Sequence, residues 1–191
     1  HSKYLHVFIE KLFKKTKLSP SDLTAVAISE GPGSYTGLRI GVSAAKGICF
    51  PLNIPLIALD TMHILARKIE CSEGYIVPAI DARRDEIYFA MFQSNNCKIP
   101  ELKVKTDTMI LSSDSFSNYY ETSTVNFVGD CNKKIMQYLN HENIYFSDYI
   151  LPSANEMGIL SHSKYVKEQF VDVAEFQPKY LKEFGGKKIN N

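Results

Sequence analysis

The tightest constraint on this chain is a crowding of glycine: Gly31, Pro32, Gly33 and Gly37 all fall within the stretch GPGSYTG. A backbone this rich in glycine turns sharply and passes close to something that a Cβ would block. Its flanks set the context. Ala25, Val26, Ala27 and Ile28 form a short apolar run ended by turn residues, which predicts a buried strand. After the loop, Leu38, Gly41, Val42, Ala45, Ile48 and Cys49 give one apolar side of a helix, and Ile40, Ser43, Ala44 and Gly47 a second side of smaller residues. A helix that is apolar nearly all round wants cover on both sides. One side can lie on its own sheet, and the other asks for a partner. Pro51 is expected to stop this helix, residues 54–59 give the next strand, and Asp60 and Thr61 read as caps for a helix over 62–69. Strand, loop, helix, strand, helix in this order is a right-handed parallel unit.

Glycines ahead of a helix also suggest an anion cradle, because first-turn N–H groups and the helix dipole favour phosphate. The spacing departs from both common nucleotide fingerprints. Leu38-Arg39 follows Gly37 where GxxxxGK[ST] needs Lys and Ser or Thr, and GPGSYTG is one residue too long for GxGxxG. Phosphate binding and a plain tight turn from strand to helix both stay open, the second being the simpler.

Upstream, Tyr4, Leu5, Phe8, Ile9, Leu12 and Phe13 recur at helical spacing, with Lys11, Lys14, Lys15 and Lys17 towards the end where cations suit the dipole. His1 and His6 on such a helix stand about 140° apart, so they form no shared ligand pair, and HxxxH is missing. Downstream, residues 75–80 and 86–92 read as an antiparallel hairpin and 101–105 as a third strand. A helix over 112–120, a strand over 125–128, a helix over 133–139 and a strand over 144–146 follow. A last helix starts after Pro152, with Ser153 and Glu156 in capping-box spacing. The second half thus reads βββαβαβα and the first only αβαβα. The halves match if the first lacks three strands at its front, and such repetition reports duplicated architecture. Two lobes are expected, 1–72 and 73–191.

The segments GPGSYTGLRIGVSAAKG, IDARRDEIY, FVGD and PKYLK resemble the TsaB (YeaZ) family, the partner subunit in bacterial threonylcarbamoyl-adenosine tRNA modification. The resemblance runs over almost the whole chain. It implies an α/β fold with the two-lobed actin, sugar-kinase and Hsp70-like (ASKHA) layout, the first lobe lacking its N-terminal hairpin strands here. That hairpin carries an acidic phosphate-site residue elsewhere in the superfamily. It implies a subunit without catalytic residues, metal or cofactor of its own, in a complex where ATP or ADP and Mg²⁺ belong to the partners; a cytoplasmic location is expected separately, because the scattered cysteines suit a reducing compartment. Those partners are a TsaD-type transferase, which moves a threonylcarbamoyl group from its adenylate onto the adenosine beside the tRNA anticodon, and a TsaE-type ATPase. A second copy of the chain would use the same helices as the transferase, and tRNA would be met only within the complex.

The residues point the same way. Arg39 and Lys46 flank the small-residue side of the central helix, and a ring of charge around a small apolar centre suits an interface. Tyr4 and Phe8 offer aromatic anchors beside it. The expected partner-binding set is Tyr4, Phe8, Gly33, Ser34, Tyr35, Thr36, Gly37, Arg39, Ile40, Gly41, Ser43, Ala44, Lys46 and Gly47, against the alternative of ordinary packing within one lobe. Asp81, Arg83, Arg84, Asp85 and Glu86 share one hairpin, where solvated salt pairing and a subunit or interlobe contact are the expectation over acid–base catalysis. Gly129 and Asp130 follow a strand and are possible nucleotide-proximal residues, or Asp130 simply caps the helix at Asn132. The tail with Lys179, Tyr180, Lys182, Gly185, Gly186, Lys187 and Lys188 is either an RNA contact or a lysine-rich terminus.

Bulk properties exclude the remaining classes. A net charge of +1 gives no global pull towards nucleic acid, and no apolar run reaches a membrane span. Cys49, Cys71, Cys97 and Cys131 form no CxxC pair, so neither zinc nor a disulfide framework is indicated. Two other functions remain as alternatives: a stand-alone ATP-dependent phosphoryl or carbamoyl transferase of this fold, and a glycoprotease-like metallopeptidase, for which HSKYLH lacks the needed HxxxH.

Overall fold

Two parallel strands organise the first part of the chain. In the computed structural model, which describes residues 2–71, 73–94, 99–149 and 151–182, β1 (Val26–Gly31) pairs with β2 (Leu56–Asp60) from Val26↔Leu56 to Gly31↔Asp60. Between them runs α2 (Tyr35–Leu52), and before them α1 (Ser2–Thr16). The register slips between Ser29 and Gly31, where the glycine turn begins. β2 is buried along Leu56–Leu59, whereas β1 is half-buried rather than buried as its sequence predicts, since only β2 pairs with it among the described residues.

Side-chain chemistry sets the ends of α2. Ser34 accepts the Gly37 N–H on its hydroxyl (3.3 Å), which starts the helix at Tyr35, three residues before the apolar pattern that locates it in the sequence. Pro51 does not stop it. The proline sits in the last turn, and the helix ends at Asn53, whose left-handed backbone (φ 51°) returns its N–H to Cys49 and Phe50 carbonyls. Pro51 lacks the N–H that would reach the Gly47 carbonyl, a loss the helix absorbs because only Leu52 follows before the cap.

The chain separates into two units that differ from the expected cut at 72/73. One contains residues up to Asp60 together with Met157–Tyr180; the other contains Thr61–Glu156 with the residues from Leu181. The reason is packing. α3 (Thr61–Ala66) buries Met62, Leu65 and Ala66 against Ile76, Ala90, Phe92 and Val128 of the second unit. The segment after α6 (Ala154–Val166) instead lays Val171, Val173 and Phe176 against Ala45, Cys49 and Leu56 of the first. There the Val171 N–H reaches the Leu56 carbonyl at 3.0 Å.

The second unit is a five-stranded sheet in the order β5-β4-β3-β6-β7, formed by β3 (Tyr75–Asp81), β4 (Glu86–Gln93), β5 (Glu101–Ile110), β6 (Val125–Val128) and β7 (Ile144–Phe146). β4 is antiparallel to both its neighbours, while β3, β6 and β7 run parallel. This is the predicted βββαβαβα order. Period two explains its two cores: Ile87, Phe89 and Met91 of β4 face Phe116, Phe127 and Ile135, while Ala90 and Phe92 face α3. Each fully buried Ile, Met or Phe contributes about 1.5–3 kcal/mol.

Three helices are shorter than predicted. α3 ends at Ala66 instead of 69, after which Lys68 and Ile69 bond three residues back. α4 is only Ser117–Tyr120 because Ser112, Asp114 and Ser115 hydrogen-bond one another (Ser112 Oγ to Asp114 Oδ1, 2.6 Å; Ser112 N–H to Ser115 Oγ, 3.0 Å) and Phe116 turns left-handed at φ 65°. α5 is Asn132–Ile135, followed by a tighter turn in which Gln137 and Tyr138 bond three residues back. At the start of α6, Glu156 takes the Ser153 hydroxyl, the Asn155 amide (3.3 Å) and the Lys68 ammonium (3.2 Å). Burial pushes its carboxyl up, but these donors together bring it down to about 2.

Three tests follow from these contacts. A Cβ on Gly129 (φ 130°) would stand 2.0 Å from the Ala79 carbonyl oxygen, so Gly129→Ala should cost about 3 kcal/mol in urea denaturation. Gly158→Ala, facing open space in α6, should instead gain about 0.5–1 kcal/mol. Glu156 has a folded pKa below the ordinary 4.5, so its stabilisation is present above that value and is lost as pH falls from about 4.5 to 2. The difference in stability between the native chain and Glu156→Gln, roughly 2–3 kcal/mol at neutral pH, should vanish across that window.

Candidate partner interface

On α2 the inward face is Val42, Ala45 and Cys49, all buried. Gly41 belongs to this face: a Cβ there would meet Ile28 Cδ1 of β1 at 3.2 Å. Gly41 is therefore a packing glycine, not the partner-facing residue its small size suggests. The opposite side carries Ser43 and Gly47 in the open, with Ile40 half-buried and Ala44 buried. A Cβ on Gly47 would touch nothing within 4 Å. Together with His6 of α1, Arg39 and Ile48, these residues line a surface cleft of about 500 Å³.

Continuing the same helical spacing from Ile40, Ser43 and Gly47 reaches Phe50, which is 75% exposed. Phe50, His6 and Ile48 are absent from the expected set, although extending the i, i+3, i+7 pattern past Gly47 finds Phe50. On α1 the half-buried side is Leu5, Ile9 and Phe13, and the outer stripe is Tyr4, Phe8 and Leu12, each more than half exposed. Tyr4 and Phe8 stack at 6.2 Å, as anchors at helical spacing do. Leu12 also extends the expected set.

The two cations of α2 do not ring this face as expected. Lys46 Nζ donates to the Ala174 carbonyl at 2.7 Å. The Arg39 guanidinium lies over the Tyr35 ring (4.1 Å) and near Tyr180 (5.9 Å), donating to both phenol oxygens, with Nε to Tyr180 Oη at 3.1 Å. The Tyr35 and Tyr180 rings themselves stand 4.6 Å apart. Both cations donate to the C-terminal segment; Arg39 still lines the edge of the cleft, and the positions Ile40, Ser43, Gly47 and Phe50 carry no charged side chain of their own.

The same segment accounts for the glycine turn. Gly31 (φ 114°) would place a Cβ 2.7 Å from the Lys179 carbonyl oxygen, and the Lys179 N–H donates to the Glu30 carbonyl at 2.7 Å. Gly33 and Gly37 have no positive φ. The Gly37 and Leu38 N–H groups are taken by Ser34 Oγ and Ser34 O. A tight turn with a close backbone neighbour explains the motif, and the first turn of α2 has these two donors already satisfied. Thr36 is exposed beside them.

The acidic residues of the 81–86 hairpin are paired internally. Arg83 and Arg84 both adopt left-handed backbone (φ 70° and 54°) and turn the hairpin. Lys134 bonds Asp81 and the Arg84 carbonyl (2.6 Å), Tyr138 donates to Asp85 Oδ1 (3.1 Å), and Lys182 pairs with Glu86. Partial burial pushes the Asp81 carboxyl up, but the Lys134 and Arg83 N–H bonds and both positive charges outweigh it and hold it below its ordinary value. Gly129 is accounted for by strand contact, and Asp130 Oδ1 accepts the Asp81 N–H (2.9 Å) instead of capping α5, whose cap position is Cys131. Neither residue calls for a nucleotide. Burial, with Asp130 and Asp81 nearby, pushes the Cys131 thiol up and keeps it inert.

Of the tail, Lys182 is held by Glu86 and the Ala82 carbonyl, while Gly185, Gly186, Lys187 and Lys188 lie outside the described residues, as do His1 and Cys97. Among the described residues no group of His, Cys, Asp or Glu could hold a metal ion, and no helix is long and apolar enough to cross a membrane.

Comparison with known proteins places this geometry. The family model described as TsaD, tRNA N6-adenosine threonylcarbamoyltransferase, matches residues 1–187. A relative from Haemophilus influenzae named tRNA threonylcarbamoyladenosine biosynthesis protein TsaB is 26% identical over 95% of this chain and 80% of its own length. The Bacillus subtilis protein of the same name is 33% identical, but the match spans 53% of this chain and only 44% of that relative. Among solved structures, YeaZ from Pseudomonas aeruginosa superposes with a TM-score of 0.82 at 22% identity, over 95% of this chain and 84% of that one.

The clamp on Arg39 is open to a direct test. Tyr180→Ala removes a stacked ring and a hydrogen-bond partner, and should lower the opening free energy of residues 178–180 by about 1–2 kcal/mol. Native-state hydrogen exchange at the Lys179 N–H should show it as faster exchange, and Arg39→Lys, lacking the planar group, should behave similarly.

Proposed function

We propose, because this chain belongs to the TsaD family and to its TsaB/YeaZ branch, that it is a non-catalytic partner subunit in threonylcarbamoyl-adenosine tRNA modification. Its partner is a TsaD-type transferase, and the surface it lends is the outer face of α1 and α2. One observation carries this: an uncharged stripe of Ile40, Ser43, Gly47 and Phe50 beside the exposed Tyr4, Phe8 and Leu12, on a helix whose only cations are turned to the chain's own tail. Small side chains let a partner helix approach closely, and aromatic side chains give it something to bury. The candidate acids elsewhere are spent on internal pairs, which supports a supporting role over chemistry.

In this assembly a TsaE-type ATPase joins as a further subunit. ATP, ADP and Mg²⁺ are handled by the partners, and tRNA is met only once the complex has formed. Self-association would compete for the same face.

Gly47 and Ser43 test the surface better than Arg39 or Gly41, which serve the fold. Gly47→Leu and Ser43→Arg should each weaken binding to the transferase subunit at least about tenfold in calorimetry while leaving the circular dichroism and melting curve unchanged. Formation of modified adenosine in tRNA by the reconstituted subunits should fall in step. Unchanged affinity in both variants, or tight saturable ATP binding by the isolated chain, would overturn the assignment.

A further inference from the structure

Period two gathers four polar side chains where the sheet of the second unit would ordinarily be apolar. In β6, Val125, Phe127 and Val128 are buried, and among them stands Asn126. A central parallel strand favours Val or Ile throughout, and an amide there is costly unless it is well bonded. Among the described residues Asn126 makes one long hydrogen bond, from Nδ2 to the Tyr75 carbonyl at 3.4 Å. That bond does not account for it. The register sets Asn126 beside Tyr145 of β7 and Val125 beside Ile144, so Thr124 and Asn126 share a face with Asn143 and Tyr145. Val125, Phe127, Ile144 and Phe146 take the other face into the aromatic core. α3 covers the first face over Ile76 and Val128 but leaves Tyr145 53% exposed. The four polar residues line a surface cleft of about 700 Å³, within the size range of small-molecule sites. It lies at the amino ends of β3, β6 and β7, the end opposite to the one this fold class usually uses. Asn143 is held in place, Nδ2 donating to the Tyr120 carbonyl at 2.8 Å and its backbone N–H to His141 Nδ1 at 3.2 Å. Each amide keeps its carbonyl oxygen and one N–H for a further partner. Glu70 and Glu73 stand at the rim, and among the described residues that line the cleft there is no Lys or Arg.

We infer that this platform binds a purine nucleoside without phosphate, adenosine being the form it fits. Adenine offers an N–H donor beside a ring-nitrogen acceptor, and one Asn side chain answers both with its carbonyl oxygen and N–H. The exposed Tyr145 ring gives the base a surface to stack on. Asn143 and Thr124 remain for the ribose hydroxyls. A phosphate would meet two carboxylates and no cation, so charge separates the nucleoside from nucleotides and from RNA. The site is apart from the outer face of α1 and α2, and it stands whether or not that face takes a transferase.

Calorimetry on the full chain tests this. Adenosine should bind saturably with a Kd of about 1 mM or tighter, and AMP and ATP at least about tenfold more weakly. Asn126→Val should abolish adenosine binding while melting at the same temperature or above, because Val suits a buried parallel strand. Tyr145→Ala, at an exposed position, should weaken binding about tenfold. Glu70→Gln with Glu73→Gln should keep adenosine and bring AMP closer to it, a change that damage to the fold would not produce. Two further probes separate base from sugar: ribose alone should not bind, and inosine, which lacks the exocyclic amine, should bind at least about tenfold more weakly. Absence of saturable adenosine binding up to about 5 mM would overturn the inference, as would undiminished binding in both Asn126→Val and Tyr145→Ala. So would ribose that binds as well as adenosine, or ATP or single-stranded oligoadenylate that binds more tightly.

Discussion

The first unit depends on the return of its own C-terminal segment. Val171 bonds the Leu56 carbonyl, Ala174 accepts from Lys46, Lys179 donates to Glu30, and Tyr180 closes on Arg39. These contacts cover β2 and the glycine turn, where a two-stranded sheet alone would be marginal. They also decide what α2 shows to solvent. A helix with two cations, both bound to that segment, offers an outer face of small and apolar side chains, so one set of hydrogen bonds both fixes the scaffold and shapes what that face presents.

The second unit reaches stability differently. Its sheet is covered on both faces, by α3 on one and by the aromatic cluster of Phe89, Phe116, Phe127 and Phe146 on the other. Edge-to-face contacts near 5.4–5.5 Å join Phe89 to Phe116 and Phe116 to Phe127. With its core complete, this unit can hold a charged hairpin at its rim, and Lys134 and Lys182 neutralise it from neighbouring segments. What looks like a constellation of acids and bases in the sequence is a set of lysine-anchored turns.

Much of this was legible in the residues. Period two in β4 and the apolar runs of β3 and β6 locate the central strands of the second unit, because burial leaves a strong pattern, whereas the edge strand β5, expected over 101–105, runs to Ile110 with little burial to mark its second half. Helix limits were less legible wherever a side chain competed with the backbone. Ser34 starts α2 early, Ser112 and Asp114 delay α4, and Asn53 rather than Pro51 ends α2. For the interface, the small-residue side was readable but the fate of Arg39 was not. Its partner Tyr180 lies 141 positions away, and no local pattern reports such a contact. Gly41 and Gly47 are alike in sequence and opposite in role, one against Ile28 and one in open space.

The ends of β1 and β2 bear on the choice between a helper and an enzyme. In open α/β sheets, ligands bind beyond the carboxyl ends of the strands. Here those ends carry Glu30 and Asp60. Burial pushes the Glu30 carboxyl up, and the charge of Asp60 adds to it, while Lys164 and Lys179 pull the other way. Lys164 is itself tied to the Ala58 carbonyl at 2.6 Å, and Lys179 arrives with the returning segment that Gly31 admits. The positions from which this fold class usually reaches a ligand are thus filled by the chain's own charges and backbone. This arrangement uses the strand ends for self-support and leaves the outer faces of the helices open, and the glycine turn serves both by letting the tail in and starting α2.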